Sequence, residues 1–168
     1  MLRSVAISVK SAVLALFLIL ALFVTLAVSP AHAVDFGSEQ LAIRRADGKL
    51  LRFTVELATS REQREVGLMN RDTMADDHGM LFDFGASRPI FMWMKDTYLP
   101  LDMLFLSATG KITHIHADAL PLSENIIDSR GPVRFVIELN GGLATRLGNR
   151  PGDVATSDLI ARAAAASK

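Results

Sequence analysis

The chain has no cysteine. That excludes disulfides, thiolate metal sites and a cysteine nucleophile, so an apolar core must hold the fold together. Aromatic residues are few: one tryptophan, Trp93, and one tyrosine, Tyr98, beside nine phenylalanines. Neither sign of charge is in excess, with 18 Lys+Arg against 18 Asp+Glu. Such a chain has no field to draw phosphate backbones, and no nucleic-acid partner is expected. There is no Gly-rich phosphate loop, no Gly-x-Ser-x-Gly elbow and no His-Glu-x-x-His helix. Nothing supports a serine hydrolase or a zincin, and no cofactor is expected.

One long hydrophobic run is present. Ala12 to Val28 is uncharged and almost wholly apolar, Arg3 and Lys10 precede it, and Ala31-His32-Ala33 follows. This is the layout of a signal peptide over residues 1–33, cleaved before Val34. The expected location is therefore periplasmic or extracellular. An uncleaved leader anchoring the domain is the alternative, since this 17-residue run approaches the length of a span. Removing Arg3 and Lys10 leaves 16 Lys+Arg against 18 Asp+Glu over 135 residues, enough for one domain with a core. After cleavage no membrane contact is expected. Oligomeric state is not legible.

Beyond the leader, residues 34–40 read as a flexible lead-in. Leu51, Phe53, Val55 and Leu57 alternate with polar residues, which predicts a half-buried strand. Asp47-Gly48 ahead of it predicts a hairpin. Thr59 or Ser60, with Glu62 or Gln63 three residues on, predicts a capped helix near residues 60–71, with Gly67 an unfavourable interior residue. Short apolar runs follow at 80–84, 90–94, 101–106 and 112–120, punctuated by Gly85, Pro89, Pro100 and Gly110. Residues 121–132 read as a loop, and Val133 to Leu139 alternates again. Residues 157–168 read as a frayed, alanine-rich tail. The expected fold is mostly β, an antiparallel sandwich or barrel over residues 41–156 with one main helix.

Four segments occur in order: Gly67-Leu68-Met69-x-Arg71, Gly79-Met80-Leu81-Phe82-x-Phe84, Phe91-Met92-Trp93-Met94-Lys95-x-Thr97 and Pro100-Leu101-Asp102-x-x-Phe105. With Pro121 to Ser123, Val136-Ile137-Glu138-Leu139 and Gly152-Asp153, they resemble the DUF192 (UPF0127) family of small, often exported prokaryotic proteins. The resemblance covers roughly residues 50–155. It implies a jelly-roll-like, mostly-β domain with one helix, and no established activity. Many members carry Asn where this chain has Lys95.

Candidate functional residues come from the same region. On an extended strand Trp93, Lys95 and Thr97 share a face, joining an aromatic surface to an ammonium and a hydroxyl. Asp102 lies between apolar runs and needs a partner, for which Lys95, Arg71 or backbone N–H groups could serve. The leading reading is a small-molecule-binding or accessory protein with a cleft at Arg71, Trp93, Lys95, Thr97 and Asp102. An enzyme using Asp102 as acid–base beside Lys95 is the alternative. A third reading is a metal site. His114, His116 and Asp118 at spacing two could hold zinc or iron, and Met92 and Met94 near His78 could hold Cu(I). Against copper, six methionines between residues 69 and 103 also suit plain core packing.

Overall fold

The structure, a computed structural model, describes residues 34–166. The expected leader lies outside the described residues. Seven strands form one sheet: β1 (Ser38–Arg44), β2 (Leu50–Ala58), β3 (His78–Met92), β4 (Leu101–Leu106), β5 (Ile112–Ala119), β6 (Ile127–Asn140) and β7 (Val154–Thr156). Three short helices accompany them: α1 (Arg61–Val66), α2 (Leu143–Leu147) and α3 (Asp158–Ala165). The strand order is β5-β4-β6-β3-β2-β1-β7. The fold is thus mostly β, as the patterns predict. One pairing departs from an all-antiparallel sheet: β2 and β3, joined through α1, run parallel.

The sheet curls until its two edge strands meet at one corner. Lys111 bridges Val154, Ile112 N–H donates to the Asp153 carbonyl and Gly152 N–H to the Ile112 carbonyl, each at 2.8 Å. Curling gives the sheet two covered faces. Leu41, Ile43, Phe53, Val55, Leu104, Phe135 and Ile137 pack on one, beneath α2 and α3. Met80, Phe82, Ile90, Met94, Met103, Phe105 and Val136 pack on the other. Met80, Met94 and Met103 are fully buried, so these thioethers fill the core. All six residues of β4 are buried, because both of its faces are covered.

The helix near residues 60–71 is shorter than predicted. Ser60 and Gln63 form the capping box, but Gly67, at φ 48°, ends the helix after six residues. Gly67 is therefore a stop, and the ring of Phe82 lies 3.3 Å from where its Cβ would be. Within the expected frayed tail, residues 158–165 form helix α3 instead. Ser157 caps α3, and Ile160 and Ala163, three apart, turn inward and are buried. The lead-in 34–40 is also tied down: Leu57 N–H donates to the Gly37 carbonyl, Gln63 Nε2 donates to the Asp35 carbonyl, and β1 begins at Ser38. Strand β6 starts at Ile127, inside the predicted loop.

Corner closure depends on Gly110. Its φ is 80°, and a Cβ there would sit 2.1 Å from the Ala155 carbonyl oxygen. Gly110→Ala is expected to destabilise the protein by about 2–4 kcal/mol through backbone strain and overpacking. Urea unfolding checks this; an unchanged midpoint would mean that the corner contributes nothing.

Candidate ligand-binding cleft

Asp102 is completely buried on β4. Its Oδ1 accepts from Asp118 N–H at 2.7 Å and Gly142 N–H at 2.9 Å, and its Oδ2 accepts from Ala144 N–H at 2.6 Å. The last two donors belong to the start of α2, whose N-cap residue is a glycine with no side chain to offer. Asp102 supplies that cap from a neighbouring strand and ties β4, β5 and α2 together. Backbone N–H groups, not Lys95 or Arg71, are its partners. A carboxylate sealed in this way has no face for a substrate, which removes the acid–base reading of Asp102 with Lys95.

Trp93, Lys95 and Thr97 do not lie on a strand. β3 ends at Met92. Thr97 N–H donates to the Met94 carbonyl, and Asp96 takes φ 52°, so residues 93–97 form a turn. Alternation across an extended strand does not hold there. Lys95 is exposed, with its Nζ 5.6 Å from the centre of the Trp93 ring, and it does not border the cleft. Thr97 is buried and donates to the Lys95 carbonyl at 3.0 Å. Arg71 is taken up elsewhere, in a two-pronged pair with Glu56 beside the Phe36 ring. Of the five residues expected to converge, only Trp93 and Thr97 border one cavity.

That cavity is a cleft of ≈ 370 Å³ beside α1. Its walls are Leu68 and Met69 after the helix, Phe82, Phe84, Phe91 and Met92 of β3, then Trp93 and Thr97. Arg61, Arg64, Glu65 and Arg88 stand at its rim, and Glu138 reaches it from β6. The guanidiniums of Arg64 and Arg88 both lie against Phe84, 5.6 and 5.5 Å from its centroid.

Glu138 is the residue that the sequence reading passed over. On β6 it sits opposite Met80 of β3 and Met103 of β4, and only 4% of it is exposed. Burial pushes its carboxyl up to about 8, and no ion pair or hydrogen bond opposes that shift. At neutral pH it is therefore a neutral acid bordering a cleft, a frequent mark of a functional site. Simple alternation puts Glu138 with Arg134 on a solvent face. The overlooked signal is Val136, an apolar residue between them on that same face.

His114, His116 and Asp118 are not gathered. His114 stacks on Phe105 with centroids 5.7 Å apart, and burial lowers its pKa. Asp118 takes φ 53° beside a register shift and turns out of the alternation toward Gly141. Among the described residues no group of three His, Cys, Asp or Glu is placed to hold a metal ion.

Fold and cleft together define a small, curled-sheet β protein with a carboxyl-floored cleft. The chain belongs to the DUF192 family, described as an uncharacterized ACR, whose model matches residues 42–156. It is similar to a crystal structure of a suggested transcription regulator from Sinorhizobium meliloti 1021. The two are 54% identical with a TM-score of 0.73, over 74% of this chain and 97% of that one. It is also similar to a protein of unknown function from Novosphingobium aromaticivorans DSM 12444, 33% identical with a TM-score of 0.68, over 77% of this chain and 91% of that one. No curated protein matches the chain significantly.

The raised carboxyl has a definite stability signature. In the unfolded chain Glu138 ionises near its ordinary 4.5, and in the folded protein only near 8. The folded state is favoured below both values, and that advantage is lost as pH rises between them, by about 3–5 kcal/mol in all. Glu138→Gln is expected to remove this loss. Urea midpoints of wild type and variant should diverge from about pH 5 to about pH 8 and then run parallel. Parallel curves throughout would show that Glu138 is not held neutral.

Proposed function

We propose that this chain is an exported binding protein whose cleft beside α1 takes a small organic molecule. The observation that carries the reading is Glu138, a buried carboxyl with no protein partner, facing a cleft walled by Phe82, Phe84, Met92 and Trp93. Leaving such a group unsatisfied costs about 1–3 kcal/mol, which a ligand atom or water can recover. Apolar walls with a few polar groups are the usual make-up of a small-molecule site.

Export rests on Arg3, Lys10, the run from Ala12 to Val28 and Ala31-His32-Ala33. None of the helices among the described residues is long and apolar enough to cross a membrane. The regulatory role suggested for the Sinorhizobium protein is not carried over, because charge here is balanced and no basic stripe emerges from the sequence. Cleavage predicts that protein recovered from the periplasm or medium begins at Val34. Recovery there with residues 1–33 still attached would instead favour the anchored form.

Ligand entry can be read from methionine methyl groups. Small organic acids, amines and alcohols would be screened by NMR against protein labelled at methionine. A true ligand is expected to shift Met69 and Met92, which border the cleft, and to leave Met74, which does not. The binding reading fails if no compound shifts the first pair, or if Met74 moves alike.

A further inference from the structure

The cleft is not evenly charged. At the rim, Arg61 is paired with Glu65 at 2.7 Å, and nearby Asp83 is held by Arg134 at 3.0 and 3.1 Å. These contacts engage both acids elsewhere, and the Arg88 side chain has no ion pair or hydrogen bond among the described residues and rests on the Phe84 ring. Arg64 is fixed from one side, its Nη1 donating to the Thr59 and Asp83 carbonyls. A guanidinium has five N–H donors, so Arg64 keeps others for a guest. Two guanidiniums thus gather at one phenyl ring with positive charge unneutralised. The same cleft is bordered by Glu138, whose carboxyl has no partner, and by Phe82, Met92 and Trp93; along β3, Phe82 lies between the Glu138 position and Arg88.

Resting on the binding reading above, we infer that the cleft selects amphipathic organic anions. The ligand's acid group lies on Arg88 and the unused N–H groups of Arg64, its apolar body runs along Phe82, Met92 and Trp93, and a neutral oxygen at its far end accepts from the Glu138 carboxyl. Guanidinium and carboxylate match in shape and charge, and the ring beneath holds the guanidiniums flat. A cationic ligand is disfavoured twice. Its head would meet the arginines at the rim, or it would force Glu138 to ionise in a dry interior. Only Glu138 in its acid form can donate, so binding is coupled to its protonation. The charged groups facing the cleft are Arg61, Arg64 and Glu65 from α1, Arg88 from β3, and Glu138 from β6. Arginine stays charged at every working pH, which leaves Glu138 to switch at the alkaline end.

The test uses three compounds with one eight-carbon body and a terminal hydroxyl: ω-hydroxyoctanoate, α,ω-octanediol and ω-aminooctanol. Trp93, the sole tryptophan and a wall of the cleft, reports each titration by its fluorescence. The acid is expected to bind about tenfold or more tighter than the diol, with the amine weakest. Arg88→Ala should bring the acid down to the diol's affinity and leave the diol's unchanged. From about pH 6 to about pH 9.5 the acid's affinity for wild type should drop roughly thirtyfold, following the fraction of Glu138 still protonated. Glu138→Gln keeps a donor at all pH and should bind with no such drop. Equal affinity for all three compounds overturns the selectivity. So does an amine that binds best and tightens as pH rises. If other compounds shift the Met69 and Met92 methyls while this acid does not, the anion inference falls and the binding reading stands. If nothing shifts them, both fall.

Discussion

Strand β6 is hydrogen-bonded along both edges, to β3 and to β4, and the sheet that it belongs to is covered on both faces. That constraint shapes everything else in the molecule. A strand buried on both sides cannot send its odd residues to a core and its even residues to water. Phe135, Ile137 and Leu139 meet one apolar cluster, and Val136 meets the other. Glu138 follows Val136 on that second face, so its carboxyl is fenced by Met80 and Met103 and has only the cleft to face. The raised Glu138 carboxyl is a consequence of where its strand lies.

Two buried acids show how surroundings divide structural work from functional opportunity. Asp102 and Glu138 lie on adjacent strands, and both are nearly inaccessible. Asp102 receives three backbone N–H groups, which satisfy both of its oxygens. Glu138 receives none and is driven to its neutral form. Charge-assisted bonds make the first an anchor for a helix start and a strand end. Lack of bonds leaves the second with donor capacity that only a guest or water can use. Asp102 stands out in sequence because its strand is otherwise apolar. Glu138 sits in what reads as an alternating strand and looks ordinary.

Much of the sheet was legible because period-two patterns survive wherever one strand face is fully apolar, as at Leu51, Phe53 and Val55. Asp102's need for a partner was legible too, since a lone acid in an apolar strand must find one, but the choice among Lys95, Arg71 and backbone N–H groups was not. What the pattern could not reveal was its own limits. Residues 93–97 keep an alternating look, yet they bend into a turn at Asp96, so the shared face of Trp93, Lys95 and Thr97 dissolves. Glu138 was hidden for the opposite reason: the strand is regular, but its second face is covered by elements distant in sequence. Helix α3 was hidden by composition, because alanines say little until Ile160 and Ala163 are seen to face inward together. Each miss came from tertiary context acting on a locally plausible pattern.

The cleft exists because α1 is too short and too polar to fill it. The helix has six residues, none of them buried, and its inward neighbours are the arms of Arg61, Arg64 and Glu65 rather than leucines. A further turn of amphipathic helix would have laid apolar side chains over Phe82 and sealed Glu138 as a core defect. Gly67 prevents that turn: its positive φ breaks the helix, and the Phe82 ring fits where a side chain would stand. Leu68 then plugs the lower core instead, at 2% exposure. An early stop, a ring against a glycine and a polar helix together keep one carboxyl open that the rest of the sheet would have closed.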